Sequence, residues 1–150
     1  MKNRILIIGN NDFSREYYEN GNYKINNKKY INTLYKNYDI DNLSNSSLDS
    51  CKAYKLSKAF ILKYKYSACI ISFGIEDLKK NSLDLFEENL QNILNMVSLN
   101  GIECILLEVD KSKDLDVEMV NRIIRKYKSE FNLNYGLYDK LIMNKVQFCN

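Results

Sequence analysis

Hydrophobic residues in this chain fall into short continuous runs. Between the runs lie longer stretches where they recur every three or four positions. Residues 5–8, 69–73, 102–107 and the less apolar 133–138 form four such runs, and 38–43 is a further candidate strand. Continuous rather than alternating apolar runs suit parallel strands covered on both faces. The intervening stretches carry helical stripes: Ala53, Leu56, Phe60 and Tyr64; then Phe86, Leu90, Ile93, Leu94 and Val97; then Val117, Val120, Ile124 and Tyr127. Asp84 stands as an N-cap with Glu87 three residues on, as in a capping box, and Gly101 follows where a left-handed residue ends a helix. Strand and helix alternate, which predicts a doubly wound α/β domain, a three-layer α/β/α sandwich with about five parallel strands. Residues 42–50 and 111–116 read as loops. No repeat or linker divides the 150 residues, so the expectation is a single domain over 1–150.

Composition narrows the chemistry. The chain has no histidine, so it holds no imidazole to act as general base or metal ligand, and Ser-His or Cys-His catalysis within it is excluded. The four cysteines, Cys51, Cys69, Cys104 and Cys149, form no CxxC pair. They read as reduced thiols of a cytoplasmic protein rather than as a disulfide framework or zinc site. No signal peptide or membrane span is apparent. The net charge of +3 is too small to imply a nucleic-acid or membrane partner. Abundant Asn, Lys, Ile and Tyr reflect a low-GC, bacterial type of composition.

In an open parallel sheet, chemistry sits beyond the carboxyl ends of the strands. That edge offers Gly9, Asn10, Asn11 and Asp12 after the first strand. Asn45, Ser46 and Ser47 follow the second, Gly74, Glu76 and Asp77 the third, and Glu108 and Asp110 the fourth. The carboxylates among them are oxygen ligands suited to Mg²⁺ and phosphate, as in a flavodoxin-like or other nucleotide-binding domain. However, neither a Walker loop nor GxGxxG occurs, and no metal or cofactor is expected. Ser14 reads as an N-cap with Tyr17 at N3, Ser46 and Ser47 as turn residues, and Asp77 as a cap for the helix after the third strand. Residues 22–38 interleave Lys with Tyr23, Tyr30, Tyr35 and Tyr38. This pattern serves either single-stranded nucleic acid or, as preferred here, an ordinary helix stripe ending in Leu34 and Tyr38.

These blocks resemble those of the SGNH, or GDSL, hydrolases. Gly9-Asn10-Asn11 follows the apolar "ILII" where the family has Gly-Asp-Ser. "NLSNSS", Asn42 to Ser47, stands for the Asn-x-Gly-x-x-Gly block, with serines at the glycine positions. "CIISFGIEDL" matches the Gly-x-Asn-Asp block at Gly74 and Asp77, with Glu76 replacing the asparagine. The family's Asp-x-x-His block has no counterpart, and the sequence ends about where that block begins.

The resemblance implies an esterase scaffold in which the serine attacks, the histidine takes its proton, and a glycine N–H with the asparagine amide holds the oxyanion. Here Asn11 offers an amide in place of the nucleophile, and Glu76 a carboxylate in place of a donor. The expectation is therefore a degenerate member without catalysis. Gly9, Gly74 and Asp77 would be structural. Asn10, Asn11, Ser47 and Glu76 would line a small polar pocket for a ligand, a protein partner or a second copy. The alternative is an esterase or acyl-transfer enzyme of unusual mechanism.

Overall fold

A computed structural model describes residues 3–9, 16–19, 22–25, 29–109 and 115–133. Among these residues the main sheet has four parallel strands in the order β4-β1-β5-β6. These are β1 (Arg4–Gly9), β4 (Asp39–Asn42), β5 (Ala68–Ser72) and β6 (Glu103–Leu106). Each overlaps one of the apolar runs. The remaining run, 133–138, lies almost wholly outside the described residues.

Side chains of successive strand residues point to opposite faces, and the core divides accordingly. Ile5, Ile7, Ala68, Ile70 and Ile105 pack with Leu34 and Tyr38 from α1 (Lys29–Asn37) and its end. Leu6, Ile8, Cys69, Ile71 and Leu106 face the other way, onto α2 (Ser50–Lys63), α4 (Leu83–Leu99) and α5 (Glu118–Glu130). The result is helix, sheet and helix layers. The short α3 (Ile75–Lys79) connects β5 to α4.

Several local expectations need correction. A two-stranded antiparallel hairpin, β2 (Glu16–Glu19) with β3 (Asn22–Ile25), follows β1. Tyr17 is thus a strand residue and not the N3 position of a helix capped by Ser14, which itself lies outside the described residues. Ser82, not Asp84, is the N-cap of α4, and Asp84 falls in its first turn. The buried stripe of α2 is Ser50, Ala53, Ser57 and Ile61. Leu56, expected inside, is 42% exposed. The stripe is displaced by one position, and Ser57 is tolerated in it because its hydroxyl donates to the Ala53 carbonyl at 2.6 Å. The α4 and α5 stripes are buried as expected.

Candidate functional site

The chain runs from β1 outward to β4, then crosses back over β1 to β5. That reversal opens a crevice at the carboxyl ends of β1 and β5, where open α/β sheets bind ligands. At its base Gly9 pairs with Ser72. A Cβ on Gly9 would lie 2.8 Å from the Ser72 carbonyl oxygen, so only glycine lets the two backbones approach this closely. Asn10, Asn11 and Asp12, which continue from Gly9, lie outside the described residues, as does Asp110.

The loop after β4 is docked against this strand end by its own backbone. The Leu43 N–H donates to Ile7 O at 2.8 Å, and the Asn45 N–H to Gly9 O at 3.0 Å. Two asparagines shape it. Asn42 Oδ1 accepts the Ser44 N–H, and Asn45 Oδ1 accepts both the N–H and the hydroxyl of Ser47, each at 2.8 Å. Ser47 is therefore an exposed turn residue. The Ser44 hydroxyl is different. It is buried without a hydrogen-bond partner, 3.6 Å from where a Gly9 Cβ would stand. Sequence reading passed over Ser44 as one of the serines at glycine positions. Nothing local marks a hydroxyl that tertiary packing buries.

After β5, Gly74 adopts φ +139° as the N-cap of α3. A Cβ there would meet Val120 Cγ1 at 2.6 Å and the Phe86 ring at 3.0 Å. The next two carboxylates part ways. Glu76 is half-buried and pairs with Lys79 at 3.4 Å. Asp77 is 2% exposed and points into the protein. Its Oδ2 accepts the Ser50 N–H at 2.9 Å and its Oδ1 the Ser50 hydroxyl at 2.7 Å, while the Asn89 amide donates to that hydroxyl at 3.0 Å. Asp77 thus caps the start of α2, 27 residues away in sequence, and not its own helix as expected. Burial raises its pKa above the usual carboxylate value, a shift that the two Ser50 hydrogen bonds oppose and nearby Asp49 adds to. Asp49, the N-cap of α2, is held below the usual range by the Lys52 N–H and by Lys80.

Across the crevice, the Glu108 carboxylate accepts from Arg125 at 2.6 Å. Arg125 also contacts Glu118. Asn121 reaches back to the residue after Glu108, accepting the Val109 N–H at 2.8 Å and donating to its carbonyl at 3.0 Å. Glu76, Asp77 and Glu108 are therefore each taken by a different protein donor and do not converge. Among the described residues no three metal-ligating side chains cluster. The described cysteines, Cys51, Cys69 and Cys104, are free thiols. Burial pushes Cys69 up and Cys104 up to about 12, so neither is poised as a thiolate nucleophile.

No protein-family model and no curated protein matches the sequence. Solved structures do match the fold. A protein from Desulfitobacterium hafniense DCB-2 assigned to the lipolytic G-D-S-L family superposes with a TM-score of 0.69 at 20% identity, over 88% of this chain and 75% of its own. The psychrotrophic esterase EstA from Pseudoalteromonas sp. gives 0.68 at 16% identity, over 89% and 75%. A member of the lipolytic G-D-S-L family from Veillonella parvula DSM 2008 gives 0.65 at 15%, over 87% and 75%. The chain has the α/β/α fold of SGNH/GDSL hydrolases. At these identities the likeness concerns the fold.

Proposed function

We propose that this domain keeps the SGNH hydrolase scaffold without its ester chemistry and uses the carboxyl edge of the sheet for binding. One observation carries the reading: among the described residues, the carboxylates at this edge and the Ser47 hydroxyl are tied into the structure, and the chain offers no histidine base for the Ser44 hydroxyl that is left over. Asp77 is spent on the start of α2, Glu108 on Arg125 and Ser47 on Asn45. The chain has no histidine to activate a hydroxyl. In this reading Asn10, Asn11, Ser47 and Glu76 line a small polar pocket, with Gly9 and Gly74 as its rigid corners, and the ligand is a polar molecule or a protein surface.

The neighbours of similar fold include esterases, so the test is theirs. Purified protein is assayed on short activated acyl esters beside Asn11→Ala, Asn11→Ser and Ser44→Ala variants. We expect no variant and no wild type to exceed the protein-free rate. Wild-type turnover that disappears in Asn11→Ala or Ser44→Ala would overturn the proposal and make this edge an active site.

A further inference from the structure

The small net charge conceals an uneven distribution. Helix α2, Ser50–Lys63, contains Lys52, Lys55, Lys58 and Lys63 and no acidic residue. With the whole chain at +3, this one helix carries more positive charge than the molecule shows as a net. Its inner stripe, Ser50, Ala53, Ser57 and Ile61, is buried, and all four lysines stand off that stripe and are exposed. None takes part in the ion pairs formed by Arg4, Lys79, Lys80, Arg125 and Lys126. Lys58 and Lys63 instead lie over the rings of Tyr54 and Tyr64, at 5.9 and 5.3 Å.

Two leucines share that face. Leu62 is 77% exposed and Leu56 42%. A single exposed leucine needs no explanation, but two among unpaired lysines on one helix form a mixed basic and apolar strip about 21 Å long. We propose that the outer face of α2 docks on an anionic lipid bilayer. Lysine ammoniums draw the face to the negative headgroups and keep their heads in water while their stems cross the apolar boundary. The leucines enter that boundary. Nucleic acid fits less well, because phosphates give exposed leucines no partner. The strip also lacks arginine, the side chain best shaped for bidentate phosphate recognition. No helix among the described residues is long and apolar enough to cross a membrane, so the contact is peripheral. The strip starts at the carboxyl edge, where α2 begins, and runs away from it along the outside of the helix, and the inference stands whether or not that edge binds.

The test is co-sedimentation with vesicles of phosphatidylcholine alone and of phosphatidylcholine mixed with phosphatidylglycerol. The protein should pellet with the mixed vesicles only and be released by high salt. Reversing two charges, Lys55→Glu with Lys58→Glu, should weaken partition about a hundredfold. Leu62→Ser, which leaves every charge in place, should weaken it about tenfold. The chain has no tryptophan, so Leu62→Trp supplies a lone reporter whose emission should shift to the blue on mixed vesicles. Failure to pellet with mixed vesicles at low salt, equal pelleting with both, or an unshifted Trp emission would overturn the proposal. Binding to an oligonucleotide or polyglutamate that Leu62→Ser leaves intact would overturn it in favour of a soluble polyanion.

Discussion

At the scale of single residues, the edge of the sheet is held by groups with no freedom to change. Gly74 combines φ +139° with no room for a Cβ, which would lie 2.6 Å from Val120. Gly74→Ala should therefore lower stability by about 3 kcal/mol, part backbone strain and part displacement of Val120, as read by urea unfolding. Asp77 gives a prediction with a definite sign. Its folded pKa is raised, so the folded chain holds this proton more tightly than the unfolded chain does. The stability it contributes is complete below the ordinary carboxylate pKa of about 4 and is lost as pH rises through the raised folded value. Asparagine does not titrate. Wild type should therefore gain stability relative to Asp77→Asn as pH falls from neutral toward that range, and a difference independent of pH would contradict the assignment. The sequence marked Asp77 as structural but not its partner. A helix cap is a local pattern, whereas the Ser50 contact spans 27 residues and exists only once α2 and α3 meet.

At the scale of elements, what was legible followed from continuity and period. The runs at 5–8, 69–73 and 102–107 became β1, β5 and β6 within a residue or two, because parallel strands covered by helices on both faces must be apolar on both. Hairpin β2–β3 is not legible in the sequence because its strands, Glu-Tyr-Tyr-Glu and Asn-Tyr-Lys-Ile, are only four residues long and show no alternation, too short to separate strand from helix by period. Helix ends were read better where the backbone demanded a particular residue. Gly101 closes α4 at φ +66°, with the Ile102 N–H donating to Val97 O and the Gly101 N–H to Ser98 O. The same paired bonds close α5 through Asn132 at φ +52°. No atom lies within 4 Å of a Cβ on Gly101, so Gly101→Ala should cost only its left-handed strain, about 1 kcal/mol. That is roughly a third of the effect at Gly74, and parallel urea titrations of the two variants would show the ratio. Equal losses would mean that packing against Val120 contributes nothing at Gly74.

At the scale of the whole molecule, the order β4-β1-β5-β6 ranks the strands by how much of the fold must open to expose them. Strand β1 is bonded on both sides, to β4 and β5, and β5 to β1 and β6. All residues of β5 are buried, and Ile5 through Gly9 in β1. Strand β4 has one partner among the described residues, and none of its four residues is fully buried. Leu34 and Tyr38 pack over the sheet beside it, and Ile40 is only partly covered. Amides of β1 and β5 should therefore exchange with solvent only through global unfolding. Those of β4 that donate to β1 should exchange through a smaller opening that releases β4 with α1 and leaves the β1–β5–β6 body intact. Native-state hydrogen exchange at increasing denaturant separates the two, since sub-global opening depends less on denaturant than global unfolding does. The loop carrying Ser44 and Asn45 continues directly from β4 and is fastened to Gly9 by a single backbone bond from Asn45. The same opening would thus remodel the carboxyl edge, and one side of the proposed binding surface should be the least stable part of the sheet. If β4 instead exchanges with the global free energy of β1, the edge is rigid, and any ligand must fit it as built.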